Sequence, residues 1–217
     1  MFRVKICGVR RIKDVSASAE SGADAIGLNF FRLSIRFVEF TLASELSSEA
    51  EDRGLLRVGV FVNESVDSVL AISDQVGLDF VQLHGHESEQ DVARLIAAGE
   101  RVIRAIRLPV GRLEPQEIEE RVLPWRELGC DLLLDADAGA LAGGAGLRLD
   151  WPAIGRWRAE FGSLDSWALA GGLTPQIVAK AIAASHASAV DVASGVEQPR
   201  GVKTADLIDL FVKNSGL

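Results

Sequence analysis

Gly22-Ala23-Asp24-Ala25-Ile26-Gly27-Leu28 reads as a glycine turn, an aspartate and a short apolar run. The same punctuation returns at Gly77-Leu78-Asp79 before Phe80-Val81 and at Gly129-Cys130-Asp131 before Leu132-Leu133-Leu134, with the aspartates 55 and 52 residues apart. A fourth run, Ala187-Ser188-Ala189-Val190-Asp191-Val192, follows at a similar interval. A βα unit takes about 25 to 30 residues, so each interval has room for two strands and two helices. Intermediate strand-like runs stand where that count needs them, at Phe2 to Cys7, Leu55 to Val62, Arg101 to Arg107 and Ser166 to Ala170. Between them lie helix-like stretches with apolar residues spaced by three and four, such as Val66, Val69, Leu70 and Val92, Leu95, Ile96. Thr174-Pro175 reads as a helix cap followed by a first-turn proline. Eight strands alternating with eight helices close either as a doubly wound sheet or as a barrel. The length of 217 residues favours the barrel, so the chain is expected to be one α/β domain over residues 1–217, a single (β/α)8 TIM barrel.

A net charge of -8 and the lack of a long basic run argue against a nucleic-acid surface, while leaving room for a small anionic ligand held by local groups. No window approaches the roughly 20 uncharged apolar residues of a membrane span, and the opening residues carry Arg3 and Lys5 rather than a signal-peptide core. A soluble, cytoplasmic protein without a membrane partner is expected. Cys7 and Cys130, the two cysteines, are too few for a disulfide framework and are read as thiols. Oligomeric state is left as monomer or weak homodimer.

In a barrel of this kind the chemistry sits at the carboxyl ends of the strands. Cys7 occupies such an end, just before Gly8, and strand alternation puts Lys5 and Cys7 on the inner face with Val4 and Ile6 outside. The same parity turns Gln82, His84, Leu133, Asp135 and Asp191 inward, so the upper interior is polar, and Lys5 is expected to face Asp191 across the seam where the last strand meets the first. A buried charge there needs a partner. One thiol and one carboxyl, Cys7 and Asp135, make a possible base and acid, and Lys5 could help to form the thiolate. Asp135 could equally cap a loop, and Asp137 is read as already lying in that loop. His84-Gly85-His86 invites a metal reading, but His186 is far away, read as the start of the last strand, and no metal is expected. Gly171-Gly172 and Ser194-Gly195 close the last two strands, where backbone amides commonly hold a phosphate. The low-complexity segment from Gly139 to Leu147 reads as a mobile loop beside the site.

Nine segments in order then resemble one family. These are Lys5-Ile6-Cys7-Gly8, Gly22 to Gly27, Ser34-Ile35-Arg36, Val58 to Asn63, Val81-Gln82-Leu83-His84-Gly85, Leu133-Leu134-Asp135, Gly143-Gly144-Ala145-Gly146, Leu169 to Leu173, and Asp191 to Glu197. Over almost its whole length the chain is similar to the phosphoribosylanthranilate isomerases of tryptophan biosynthesis. The resemblance implies a (β/α)8 barrel that converts N-(5'-phosphoribosyl)anthranilate, a phosphosugar, to the deoxyribulose phosphate product by an Amadori rearrangement without cofactor. Residue by residue, it implies Cys7 as general base, Asp135 as general acid and Arg36 as partner of the anthranilate carboxylate. The chain departs from the family pattern at Ile35, where proline is usual, at Arg10, where threonine is common, and at Ala145, where a hydroxyl residue is usual.

Two other readings are kept beside this one. The related sugar isomerase of histidine biosynthesis would be expected to carry aspartate in place of Cys7 and a second phosphate loop. A catalytically silent barrel that binds a sugar phosphate would need neither Cys7 nor Asp135.

Overall fold

The repeated glycine and aspartate have a direct structural cause. Gly22, Gly77 and Gly129 sit at φ of +85°, +71° and +85°, the left-handed region that a tight turn from helix to strand requires. The aspartate that follows reaches back to the strand before it: Asp24 Oδ2 accepts from the Val4 N–H at 2.8 Å, and Asp79 Oδ2 accepts from the Arg57 N–H at 2.7 Å. Each such carboxylate satisfies an amide at the start of a neighbouring strand and so ties the entry of one strand to the next.

The computed structural model describes residues 1–137, 148–161 and 166–217. Its strands are β1 (Val4–Cys7), β2 (Ala25–Asn29), β3 (Leu56–Phe61), β4 (Phe80–Leu83), β5 (Val102–Pro109), β6 (Asp131–Asp137), β7 (Trp167–Leu169) and β8 (Val190–Val192). Alternating with them are α1 (Ile12–Glu20), α2 (Phe40–Asp52), α3 (Val66–Val76), α4 (Glu89–Ala97), α5 (Pro115–Glu127), α6 (Trp151–Phe161), α7 (Val178–Ser185) and α8 (Ala205–Ser215). Neighbouring strands are parallel, and β1 closes on β8 with Lys5 opposite Asp191. The expected (β/α)8 TIM barrel is the observed fold, and the doubly wound alternative is excluded by that closure.

Strand parity divides the apolar residues into two cores. Val4, Ile6, Val81, Leu83, Leu132, Leu134, Val190 and Val192 pack outward into the layer shared with the helices. Phe2, Ala25, Val58, Phe80, Ile103, Ala105, Leu133, Ala168, Ala170 and Ala189 form a second cluster inside the barrel. The small alanines leave room for the two phenylalanines at that narrow axis. Above this apolar plug the interior turns polar, and the Lys5 ammonium marks the boundary, 5.6 Å from the Phe2 ring centroid.

Four local expectations are corrected. α7 begins at Val178 rather than Pro175, because the Ile177 and Val178 amides both bond the Thr174 carbonyl, at 3.1 and 3.0 Å, and a turn precedes the helix. β8 begins at Val190, since His186 ends α7 in the left-handed region and the residues after it complete the turn. Asp137 ends β6 instead of lying in the loop beyond it. β1 begins at Val4 rather than Phe2, whose side chain plugs the barrel floor. The Gly139 to Leu147 loop, with Ala145, lies outside the described residues. Among those residues no helix is long and apolar enough to cross a membrane.

Candidate active site

Five of the polar residues expected to point inward form one connected row across the top of the barrel. Lys5 Nζ lies 3.1 Å from Asp191 Oδ1 and donates to Gln82 Oε1 at 2.7 Å. Gln82 Nε2 meets His84 Nδ1 at 3.2 Å, and His84 Nε2 lies 3.1 Å from Asp135 Oδ2. The other carboxylate oxygen of Asp135 accepts from the Ala136 N–H at 2.8 Å. Lys5 is fully buried, whereas the His84 and Asp135 side chains are 23% and 24% exposed, so the row runs from the closed seam to the open mouth. The Lys5–Asp191 contact is an ion pair that leaves Asp191 Oδ1 without an aligned hydrogen bond.

Cys7 sits beside this row, buried under the mouth. The room for its sulfur comes from β2: a Cβ on Gly27 would stand 2.8 Å from Cys7 Sγ. Burial raises the thiol pKa above its usual 9.0, and the opposing influence of Lys5, Lys203 and Arg36 does not overcome it, Asp191 adding to the rise. Lys5 does favour the thiolate, as the sequence suggests, but in the unliganded protein its pull is smaller than the effect of burial. Burial works against the Lys5 ammonium as well, but Asp191 and Cys7 outweigh it and raise its pKa, which keeps the lysine charged.

Arg36 stands over Gly8, whose positive φ of +76° and missing side chain let the guanidinium stem pass. Its head is not a free loop cation. Arg36 Nε and Nη2 donate to the two carboxylate oxygens of Glu197 at 2.6 and 2.8 Å, a planar fork that fixes the guanidinium and leaves Nη1 outside the pair. Glu197 also accepts from Lys203 Nζ at 3.0 Å and from the Gly201 N–H at 2.8 Å. Ile35, the departure from proline, is held by Arg10, another departure, whose guanidinium donates to the Ile35 carbonyl at 2.9 Å. That bond is a surface anchor between the β1–α1 and β2–α2 loops.

Burial disfavours the Glu197 carboxylate, but its bonds from Arg36, Lys203 and Gly201 prevail and hold its pKa down to about 2, against an ordinary 4.5. The folded value is the lower one. The associated stability is therefore present above about pH 4.5 and is lost as pH falls toward 2. Glu197→Gln leaves Arg36 and the buried Lys203 without their carboxylate. It is expected to cost about 3 kcal/mol, the usual scale for removing one member of a buried pair. Urea unfolding at neutral pH checks this, and an unchanged midpoint would contradict it.

The remaining predicted residues gather at the same end. Gly171 and Gly172 adopt φ of +84° and +67° after β7, and the loop after β8 closes as a 3-10 turn over Ser194–Val196. These two loops touch: there is no space for a side chain on Gly195, because the Leu173 carbonyl already fills it. His86 lies in the β4–α4 loop, which Glu87 staples by accepting from the Asn63 and Gly85 amides and from Arg104. His186 is drawn away from the mouth to end α7.

Three site residues escaped the sequence reading. In the sequence Glu197 stands out only as the end of the Asp191 to Glu197 motif, and Lys203 carries no local signal, since it reaches Glu197 through a turn. Arg107 was legible: inward parity through Ile103 and Ala105 points to it, it pairs in register with Asp135, and its Nη2 donates to the His84 carbonyl at 2.7 Å.

Comparison with known proteins gives one consistent answer. The profile of the family described as PRAI, N-(5'phosphoribosyl)anthranilate (PRA) isomerase, matches residues 4–214. The N-(5'-phosphoribosyl)anthranilate isomerase of Rubrobacter xylanophilus is 39% identical over 213 residues, 98% of each chain. The crystal structure of phosphoribosyl anthranilate isomerase from Thermotoga maritima superposes with a TM-score of 0.85 at 38% identity and full coverage of both chains. A phosphoribosyl anthranilate isomerase in complex with reduced 1-(o-carboxyphenylamino)-1-deoxyribulose 5-phosphate matches at TM-score 0.82, again at 38% identity and full coverage. Matched by that profile over residues 4–214, similar to those relatives over its full length and closed as the same barrel, the chain belongs to the phosphoribosylanthranilate isomerases, a family of enzymes.

Proposed function

We propose that the protein catalyses the Amadori rearrangement of N-(5'-phosphoribosyl)anthranilate to 1-(2-carboxyphenylamino)-1-deoxyribulose 5-phosphate in tryptophan biosynthesis, by general acid and base catalysis with no cofactor, in the cytoplasm. The observation that carries this reading is the grouping at one end of one barrel of a thiol, a carboxyl, a held guanidinium and a pair of abutting glycine turns. The Asp135 carboxyl gives its proton to the furanose ring oxygen as the C1'–O bond breaks, and the anthranilate nitrogen lone pair forms the iminium. The Cys7 sulfur, as thiolate, then takes the C2' proton. The C–H electrons form the C1'=C2' double bond and neutralise the iminium, and the resulting enolamine tautomerises to the ketone.

The raised pKa of the free thiol has a consequence for this order. An iminium cation beside Cys7 favours the thiolate and acidifies C2' together, so the thiol gives its proton to solvent at the mouth, and the base becomes competent, after the acid has acted. Arg36 Nη1 is the remaining edge of the guanidinium for the anthranilate carboxylate, with Glu197 setting its aim. Backbone amides at Gly171, Gly172, Ser194 and Gly195 would take the phosphate, as glycine-lined strand ends do in barrels. Asp191, whose Oδ1 faces the Lys5 ammonium, would hold that charge in place beside Cys7. Monomer or weak homodimer is the proposed assembly.

The test is the loss of phosphoribosylanthranilate fluorescence on adding purified protein. Steady turnover is expected. A folded protein that binds a product analogue and turns nothing over would replace this reading with that of a silent binding barrel.

A further inference from the structure

The polar row has a direction, and the direction comes from one residue. A lysine ammonium has only donors, so the Gln82 oxygen must be the atom that faces Lys5, as the 2.7 Å contact has it. The Gln82 amide nitrogen is then the atom 3.2 Å from His84 Nδ1, and an NH₂ group can only donate there. His84 Nδ1 must accept, which leaves the proton of the neutral ring on Nε2, 3.1 Å from Asp135 Oδ2. Gln82 is buried and cannot turn its amide over without setting an NH₂ against an ammonium. We propose that Lys5 and Gln82 lock His84 as its Nε2–H tautomer, so that His84 donates to Asp135 and cannot take the carboxyl proton.

The opposite tautomer would present a bare Nε2 to Asp135 and bind its acidic proton in a hydrogen bond pointing away from any substrate. The locked ring refuses that bond, and the proton is left for the ring oxygen. When the proton has gone, the His84 Nε2–H and the Ala136 N–H meet the charge that forms, one on each oxygen. The chain therefore orients and does not conduct: a glutamine amide has no proton to pass on. Gln82 and Lys5 are positioning residues that act on Asp135 through His84. The Arg107 bond to the His84 carbonyl holds the backbone of that residue from the β5 side.

The tautomer itself stands apart from the proposed reaction, whereas its catalytic consequence rests on Asp135 being the acid. The test uses the intact protein labelled with ¹⁵N-histidine, which has three histidines in all; His86→Gln and His186→Gln assign the spectrum. At about pH 8, above the ordinary histidine range, the ring nitrogen shifts of unliganded His84 should be those of a neutral Nε2–H imidazole. In Gln82→Glu the new carboxylate accepts from Nδ1–H, so the proton should move to Nδ1. The kcat should fall by about tenfold to 100-fold, the scale for a residue supporting a reactive group, while KM changes less. An Nδ1–H ring in the wild-type protein overturns the proposal, whether or not Gln82→Glu folds. An unchanged tautomer in a folded Gln82→Glu overturns it too. A moved tautomer with unchanged kcat, beside an inactive Asp135→Asn, removes the catalytic consequence and leaves the acid in place. Full activity in Asp135→Asn instead removes the acid, with the tautomer still read independently.

Discussion

Asp135→Asn is expected to lower kcat by about 10²-fold or more, the scale of a positioned general acid, with a much smaller change in substrate affinity. The amide keeps the size of the carboxyl, but its single oxygen can accept from the Ala136 N–H or from His84 and not from both, so thermal unfolding has to be read beside the rate. What it lacks is an acidic proton. The ring oxygen of the substrate is a poor leaving group unless it is protonated as the C1' bond breaks, and the Asp135 carboxyl, 24% exposed, faces the open mouth from β6. Steady-state kinetics of the purified variant, with thermal unfolding to establish folding, decide the matter. A wild-type rate would take Asp135 out of the mechanism and leave it as the acceptor for His84.

Cys7→Ser is expected to lower kcat by a similar factor of about 10² or more. A hydroxyl in place of the thiol fits the space opposite Gly27, so the loss is chemical. Serine is a far weaker acid than cysteine, and the same burial that raises the Cys7 pKa leaves an alcohol with no route to the anion. The free protein offers a second readout. Because the Cys7 pKa is raised, its thiolate should be absent at neutral pH and form only above the usual 9.0. Lys5, Asp191, Lys203 and Arg36 are the charged groups that face the sulfur. Cys130 is itself pushed up to about 11 by burial, so the thiolate absorbance difference between wild type and Cys7→Ser isolates Cys7. A thiolate already formed at pH 7 would contradict the order proposed here, in which the acid step prepares the base. A rate unchanged in Cys7→Ser would remove Cys7 as the base.

Both expectations depend on residues that alternation alone turned inward. The parity of Lys5 and Cys7, of Gln82 and His84, and of Leu133 and Asp135 is a property of extended chain, in which side chains alternate by covalent geometry. It therefore survives into the structure wherever the strand is real. The repeat of glycine and aspartate was legible for a related reason: a left-handed turn demands glycine, and the next carboxylate has a local amide to satisfy at a neighbouring strand. Element boundaries were less legible. Thr174-Pro175 has the residue types of a helix start, yet the Thr174 carbonyl closes a turn first, and the helix waits until Val178.

The amino-acid sequence by itself thus determined the barrel, its strand count, the inward row and the end at which the chemistry sits, because each follows from period, turn residues and chain length. Tertiary structure alone decided how those residues act on one another. The bond from Glu197 to Arg36 spans 161 positions, and that from Lys5 to Gln82 spans 77. Neither leaves a local pattern, since contacts at such separations exist only after the barrel has closed. The state of Cys7 was decided there as well. Lys5 two residues away favours a thiolate, but folding buries the sulfur and engages the lysine with Asp191 and Gln82, and desolvation prevails over the neighbouring charge.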